Sequence, residues 1–285
     1  MQVSRISFGD IVRHLLVVVV LAIFLFPIYW MIATSFKSAE DILTRPPTWV
    51  FTPTLDNYVY AFEKADFGRY IGNTLYIASV STLLVVAFGA LASYSFARYN
   101  PGDGHIMFFI LTTRMMPGIA VIIPFFLIFR EVGNSDIGKA LFIGLDRPFS
   151  LVIVYTVLNL PFAIWLMHSF FQDIPVELEN SARLDGYTRF QVFRKVVLPL
   201  AAPGIAVTAI FSLMFAWNEF LFAFILTRDV ARTITVGVSG FISQQGILWG
   251  PLSAAAVVCV VPMLLFALAL QRYMVRGLTF GAVRG

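Results

Sequence analysis

Five residues draw attention because long apolar runs enclose them: Arg114, Asn159, Trp217, Asn218 and Glu219. A charge deep in hydrocarbon costs about 3 kcal/mol on insertion scales, so Arg114 and Glu219 each need a partner or a watery cavity. Trp217 and Phe220 are i, i+3 neighbours on a helix, with Asn218 and Glu219 on an adjoining face. An aromatic plate beside bidentate donors and acceptors is what a sugar's C–H face and hydroxyls require. The same residues also permit a Glu219–Arg114 ion pair that holds two helices together.

A second group lies in the longest polar stretch, Pro175 to Pro203. Glu177, Glu179, Arg183, Asp185, Arg189, Arg194 and Lys195 alternate there with apolar residues. Asp173 is expected to cap a first helix with Pro175 in its opening turn. Asp185-Gly186 should end that helix, and Gly186 should need a backbone conformation hostile to a side chain. Thr188 and Gln191 have capping-box spacing for a second helix, whose Phe190, Phe193 and Val197 would share one face. Leu198-Pro199 and Pro203 should terminate it. The product is a helix–turn–helix outside the bilayer, with an apolar stripe for a partner to grip.

The elements that position both groups are apolar helices. The chain is 59% hydrophobic and 13% charged, against about 25% charged in soluble domains. A membrane helix needs about 20 apolar residues, and six segments qualify: Leu15 to Thr34, Ile71 to Phe96, Ile106 to Phe129, Leu151 to Phe171, Ile205 to Leu226 and Leu252 to Leu270. They lack strand alternation, so the fold class is all-α: a polytopic membrane bundle in one domain over residues 1–285. Basic residues precede the first run, but its length and the lack of a small-residue cleavage site mark an uncleaved span. An even number of crossings puts both termini on one side. The basic residues divide almost evenly between the two sides, so charge alone hardly orients the chain. The segment Ser35 to Tyr70 forms the longest loop. It is either packed on the span ends or a docking surface.

The polar stretch resembles the coupling loop of ABC-importer permeases, whose pattern is Glu-Ala-Ala, three residues, Gly, then a spacer ending in Leu-Pro. Here Asn180-Ser181-Ala182, Arg183-Leu184-Asp185, Gly186 and Leu198-Pro199 fill it. Asn180 stands where the family has Glu, with Glu179 one place earlier, and Ser181 replaces the first Ala. The similarity to maltose-type carbohydrate permeases extends over nearly the whole chain. It includes Arg114-Met115-Met116-Pro117, Ala216-Trp217-Asn218-Glu219, and the tail Gly277-Leu278-Thr279 with Gly281-Ala282-Val283. The resemblance implies the type I importer permease fold in a bacterial inner membrane, with both termini cytoplasmic. It makes Glu179, Asn180, Ser181, Ala182, Asp185, Gly186, Phe190, Phe193, Leu198 and Pro199 the ATPase-coupling loop. It makes Arg114, Asn159, Trp217, Asn218 and Glu219 candidates for the substrate pathway. The implied partners are a second, homologous permease, two ATPase subunits carrying ATP and Mg, and an extracytoplasmic solute-binding protein.

Other chemistry has no residue basis. The segment Gly133 to Ala140 falls one residue short of a phosphate-binding loop, since Ala140 stands where Ser or Thr is needed, and no strand precedes it. His14, His105 and His168 lack metal-ligand spacing. No catalytic triad or carboxylate pair is present, so the chain is not expected to be an enzyme. Its scattered basic residues form no stripe for nucleic acid. Cys259 is alone and sits in an apolar run. Two competing readings remain. One is a secondary transporter coupled to ions through Glu219 and Arg114, for which paired broken helices would be expected. The other is a membrane scaffold.

Overall fold

The computed structural model describes residues 8–244 and 246–279. The tail pattern at Gly281-Ala282-Val283 lies outside them. The chain divides into two compact units.

The smaller unit contains the chain up to Phe67 together with Val238–Val261. Helix α1, Phe8–Ser35, is apolar and exposed along almost its whole length, as a lipid-facing span must be. The loop after it is packed rather than extended. Asn57 donates to the carbonyls of Ser35 (3.0 Å) and Lys37 (2.8 Å). The buried Lys37 ammonium donates to the Thr48 carbonyl at 2.6 Å and lies over the rings of Trp30 and Phe51. A backbone acceptor and aromatic faces are what let a cation stay out of water.

The larger unit runs over Gly68–Gly237 and resumes at Pro262. Helix α2, Phe67–Tyr99, is about 50 Å long at 1.5 Å per residue. That exceeds the roughly 30 Å of hydrocarbon, so the helix is tilted or extends past it. The chain then forms α3, His105–Met115, α4, Gly118–Asn134, and α5, Pro148–Gln172. Helix α5 is the axis of this unit. Leu151, Val152, Val154 and Tyr155 near its start pack with Ile77, Ile122, Phe129 and Phe222. Ala163, Met167 and Phe171 near its end pack with Val85, Ala90, Val192 and Val197. The Ser93 hydroxyl clamps α2 to α5 by bonding the carbonyls of both Gly89 (2.6 Å) and Ile164 (2.9 Å).

Among the described residues, four helices are long and apolar enough to cross a membrane, or up to six if each of two bent pairs is one span. The third expected span, Ile106 to Phe129, is two helices, α3 and α4, bent by 90°. Pro117 supplies the reason: it disfavours helical backbone at Met116, which is extended (ψ 125°), and it has no N–H to donate. The fifth, Ile205 to Leu226, is also broken. Helix α8, Ala202–Asn218, stops before Glu219, which is extended, and a short helix, α9, Leu221–Leu226, follows.

On the far side of α9 a loop is fixed by one carboxylate. The backbone N–H groups of Arg228, Asp229, Val230 and Ala231 all donate to Asp146 at 3.0–3.2 Å. Burial pushes the Asp146 carboxyl up, but these four donors favour the charged form and hold it below its ordinary value.

Candidate functional site: an anchored elbow and two broken spans

The elbow begins directly after α5. Helix α6, Val176–Leu184, is followed by a turn and by α7, Arg189–Leu200. Asp173 closes α5 instead of capping α6, and Pro175 occupies the N-cap with no side-chain bond. Gly186 has φ +89°, and a Cβ there would meet nothing within 4 Å. Any cost of a side chain is therefore conformational, not steric. The Thr188–Gln191 capping box is formed in both directions. Lys195 lies over the Tyr187 ring, and Arg189 over Tyr99.

Two expectations for α7 need correcting. Phe190 is 65% exposed and does not share a face with Phe193 and Val197, which are buried with Val192. Phe193 and Val197 pack into the cluster at the end of α5, and Phe190, one turn earlier, lies outside it; a π-turn spans Phe193–Val197. Leu198-Pro199 also fails to stop the helix. Pro199 sits in the first turn of Leu198–Leu200, where a missing N–H is tolerated, and the 76° bend comes at Ala201. Pro203 likewise sits in the first turn of α8.

The elbow's root is an ion pair that the sequence did not disclose. Glu179 is only 6% exposed. Arg98, at the end of α2, donates through Nε to Glu179 Oε1 and through Nη2 to the Ile174 carbonyl at 2.8 Å. The Tyr94 hydroxyl donates to the other carboxylate oxygen at 2.6 Å. Two donors on the buried carboxylate, and a third bond from Arg98 to the Ile174 carbonyl, tie the elbow to α2. Asn180, at the position where the family pattern has Glu, is exposed, as are Ser181, Asp185 and Gly186, whereas Ala182 is buried. At the tip Leu184 is 90% exposed, near Tyr187 and Phe190. Sequence spacing could not have linked Arg98 with Glu179, although Arg98 in the last turn of a long span was a signal that something outside awaited it.

The pathway candidates gather around the two helix breaks. The hypothetical Cβ of Gly118, just past the first break, would lie 3.2 Å from Leu221 and 3.4 Å from Phe222, just past the second. Glu219 does not pair with Arg114. Its carboxylate accepts the N–H groups of Phe222 (2.9 Å) and Ala223 (3.1 Å), capping α9, and its own carbonyl accepts from Thr235 at 2.7 Å. Arg114 donates to the Leu158 carbonyl at 2.7 Å and lies over the Phe215 ring. Trp217 is 2% exposed, so it presents no open plate, while Phe215 and Phe220 are exposed beside it. Asn159 is buried and its amide donates to Tyr155 in its own helix. The Asn218 amide likewise donates back to Met214 but remains exposed. The structure thus brings Arg114, Asn218 and Glu219 to the breaks and buries Trp217 and Asn159.

A polytopic helical membrane protein with interrupted spans and an extramembrane elbow anchored to one of them has the architecture of an importer's membrane subunit. The chain belongs to the family described as binding-protein-dependent transport system inner membrane component, whose pattern matches residues 85–280. It is 38% identical over 262 residues to the probable ABC transporter permease protein y4oR of Sinorhizobium fredii, covering 92% of this chain and 91% of that one. It is 34% identical to the sulfoquinovosyl glycerol transport system permease protein of Agrobacterium fabrum, covering 97% and 95%. It is also 34% identical to the trehalose/maltose transport system permease protein of Thermococcus litoralis, covering 92% of each. Its fold matches a chain of a bacterial ABC transporter involved in the import of the acidic polysaccharide alginate, with TM-score 0.72, 22% identity and coverage of 94% and 98%. The fold is therefore that of a type I ABC importer permease, and the protein is a multi-pass membrane permease subunit. Nothing in these comparisons supports an ion-coupled carrier.

Proposed function

We propose that this chain forms half of the translocation pathway for a carbohydrate or related polar solute in an ATP-driven importer. The observation that carries the proposal is the elbow: exposed Leu184, Tyr187 and Phe190 at its tip, and a buried Glu179–Arg98 pair at its root. Such an object is shaped to be gripped at one end and to pull on a span at the other. The carbohydrate class is supported by the names of the relatives.

In this reading the two compact units act as one permease domain. A second, homologous permease completes the pathway, and an extracytoplasmic solute-binding protein delivers the solute. Both termini and the elbow are cytoplasmic. ATP and Mg are bound by two separate ATPase subunits, each receiving one elbow in a groove. Closure of the ATPases would move α6 and α7. The Glu179–Arg98–Tyr94 contacts would carry that motion to α2, and the Ser93 clamp would carry it on to α5. The spans would rock from inward-open to outward-open, and hydrolysis would reset them.

The broken spans support the pathway assignment. Irregular backbone at membrane depth persists where it is enclosed by protein or lines a watery cavity. Arg114, Asn218 and Glu219 then face the solute, with Phe215 and Phe220 as the available aromatic faces. Broken spans were also the feature expected of an ion-coupled carrier, so they do not separate the two mechanisms. The elbow does, because a gradient-driven carrier has no motor to engage.

The test is uptake of labelled solute into vesicles containing the assembled transporter. Uptake that follows ATP, and ignores imposed ion gradients, supports the proposal; the reverse dependence overturns it. In the same assay Glu219→Gln is expected to lower uptake about tenfold, because the N-terminus of α9 loses both the charge and one of its two acceptor oxygens. The complex should still assemble. Failure to assemble would give Glu219 a packing role only.

A further inference from the structure

At the end of α5 opposite the elbow, a cleft of about 190 Å³ opens between the end of α4 and the loop that enters α5. Gly133 and Gly144 form its floor, their backbones so close that a Cβ on Gly133 would lie 2.9 Å from the Gly144 Cα. Three cations line it: Arg130, Lys139 and Arg147. Nearby acids only partly neutralise them. Arg130 bridges to its neighbour Glu131 at 2.9 Å, with both side chains exposed, and Lys139 is 3.8 Å from the fully exposed Asp136. The Arg147 guanidinium has no hydrogen-bond or ion-pair partner among the described residues.

The apolar surroundings say what kind of anion fits. Ile137, Leu141 and Phe142, in the same short segment as Lys139, are all exposed. On α4, Ile119, Ile123 and Leu127 form an exposed stripe at i, i+4, i+8 that leads to Arg130. The stripe starts one residue into α4, just past the helix break, and ends three residues before Arg130. Ile119 and Arg130, eleven residues apart on α4, are separated by about 16 Å. That is close to half the roughly 30 Å of hydrocarbon, the depth of one leaflet. An apolar stripe one leaflet deep, capped by a cationic cleft, matches an acyl chain and an anionic headgroup.

We propose that this cleft binds the phosphate headgroup of an anionic phospholipid in the leaflet opposite the elbow. The lipid's acyl chain lies along Ile119, Ile123 and Leu127, and its phosphate meets Arg147, Lys139 and Arg130. A protein acid could satisfy the same cations, but it would not explain the lipid-length stripe beneath them.

The test uses the assembled transporter in detergent, titrated with phosphatidylglycerol or phosphatidylcholine, with bound lipid counted by native mass spectrometry. The expected result is one phosphatidylglycerol held in preference to phosphatidylcholine. Combining Lys139→Gln with Arg147→Gln should weaken that lipid about thirtyfold, with basal ATPase activity unchanged. Equal retention of both lipids, or of phosphatidylglycerol by wild type and variant, would overturn the proposal. So would a variant that binds lipid normally but, in bilayers of phosphatidylcholine alone, loses stimulation by the solute-binding protein. That outcome would make the cleft a protein-docking surface.

Discussion

Gly186→Leu is expected to uncouple the transporter: solute carried per ATP hydrolysed falls at least tenfold while the chain still inserts and assembles. The expectation rests on the turn's conformation. Gly186 has φ +89° and open space where a Cβ would sit, so leucine creates no clash. It does carry the left-handed penalty of about 1–2 kcal/mol. The simplest relief is a different turn, which re-aims Leu184 on one side and Tyr187 on the other. An elbow whose tip no longer matches its socket can be pushed without moving the spans. Gly186→Asn provides the control, because asparagine tolerates positive φ and should keep most of the coupling. An unchanged ratio of uptake to hydrolysis in the leucine variant would remove the turn from the mechanism.

Arg98→Ala should be the most destabilising single change near the elbow, by about 3–5 kcal/mol, read as a lowered midpoint in thermal unfolding of the detergent-solubilised chain. It strands the Glu179 carboxylate where little water reaches it; both side chains of the pair are only 8% exposed. It also frees the Ile174 carbonyl, which Arg98 holds across the joint between α5 and α6. Replacing both partners tests the cause. Arg98→Met with Glu179→Leu leaves no orphaned charge and should recover most of the lost stability. It should not recover transport, because the elbow would then be held only by apolar contacts. If Arg98→Ala alone unfolds like wild type, the pair is not the anchor.

Much of the elbow was legible because short-range chemistry sets it. Gly186 after Asp185 signals a helix end, and Thr188 with Gln191 signals the next start; both need only their neighbours. What escaped was of two kinds. One was which side of a short amphipathic helix is covered: Phe190, Phe193 and Val197 read as one stripe for a partner, but Phe193 and Val197 are buried against α2 and α5 and Phe190 is exposed. The other was contact across sequence. Arg98 and Glu179 come from different helices, and nothing local says that Glu179, rather than position 180, enters the buried pocket. The breaks divide in the same way. Pro117 accounts for the first, since proline disrupts a helix, but proline alone does not specify a 90° bend. The second carries no proline or glycine between Asn218 and Phe220. It is held open by the Glu219 carboxylate capping the next helix and by Thr235 on its carbonyl. An apolar window with one carboxylate in it looks like a continuous span until that capping is seen.

On the proposed function the elbow faces the cytoplasm and is held there by a separate motor. Leu184→Cys in a Cys259→Ser background places one thiol at the exposed tip of the chain. In sealed vesicles a membrane-impermeant maleimide should label it only from the cytoplasmic face, and the label should be excluded once the ATPase subunits are bound. A short bifunctional reagent should then join Leu184→Cys to an ATPase subunit. Labelling from the opposite face, or labelling that bound ATPase leaves unchanged, would contradict the account.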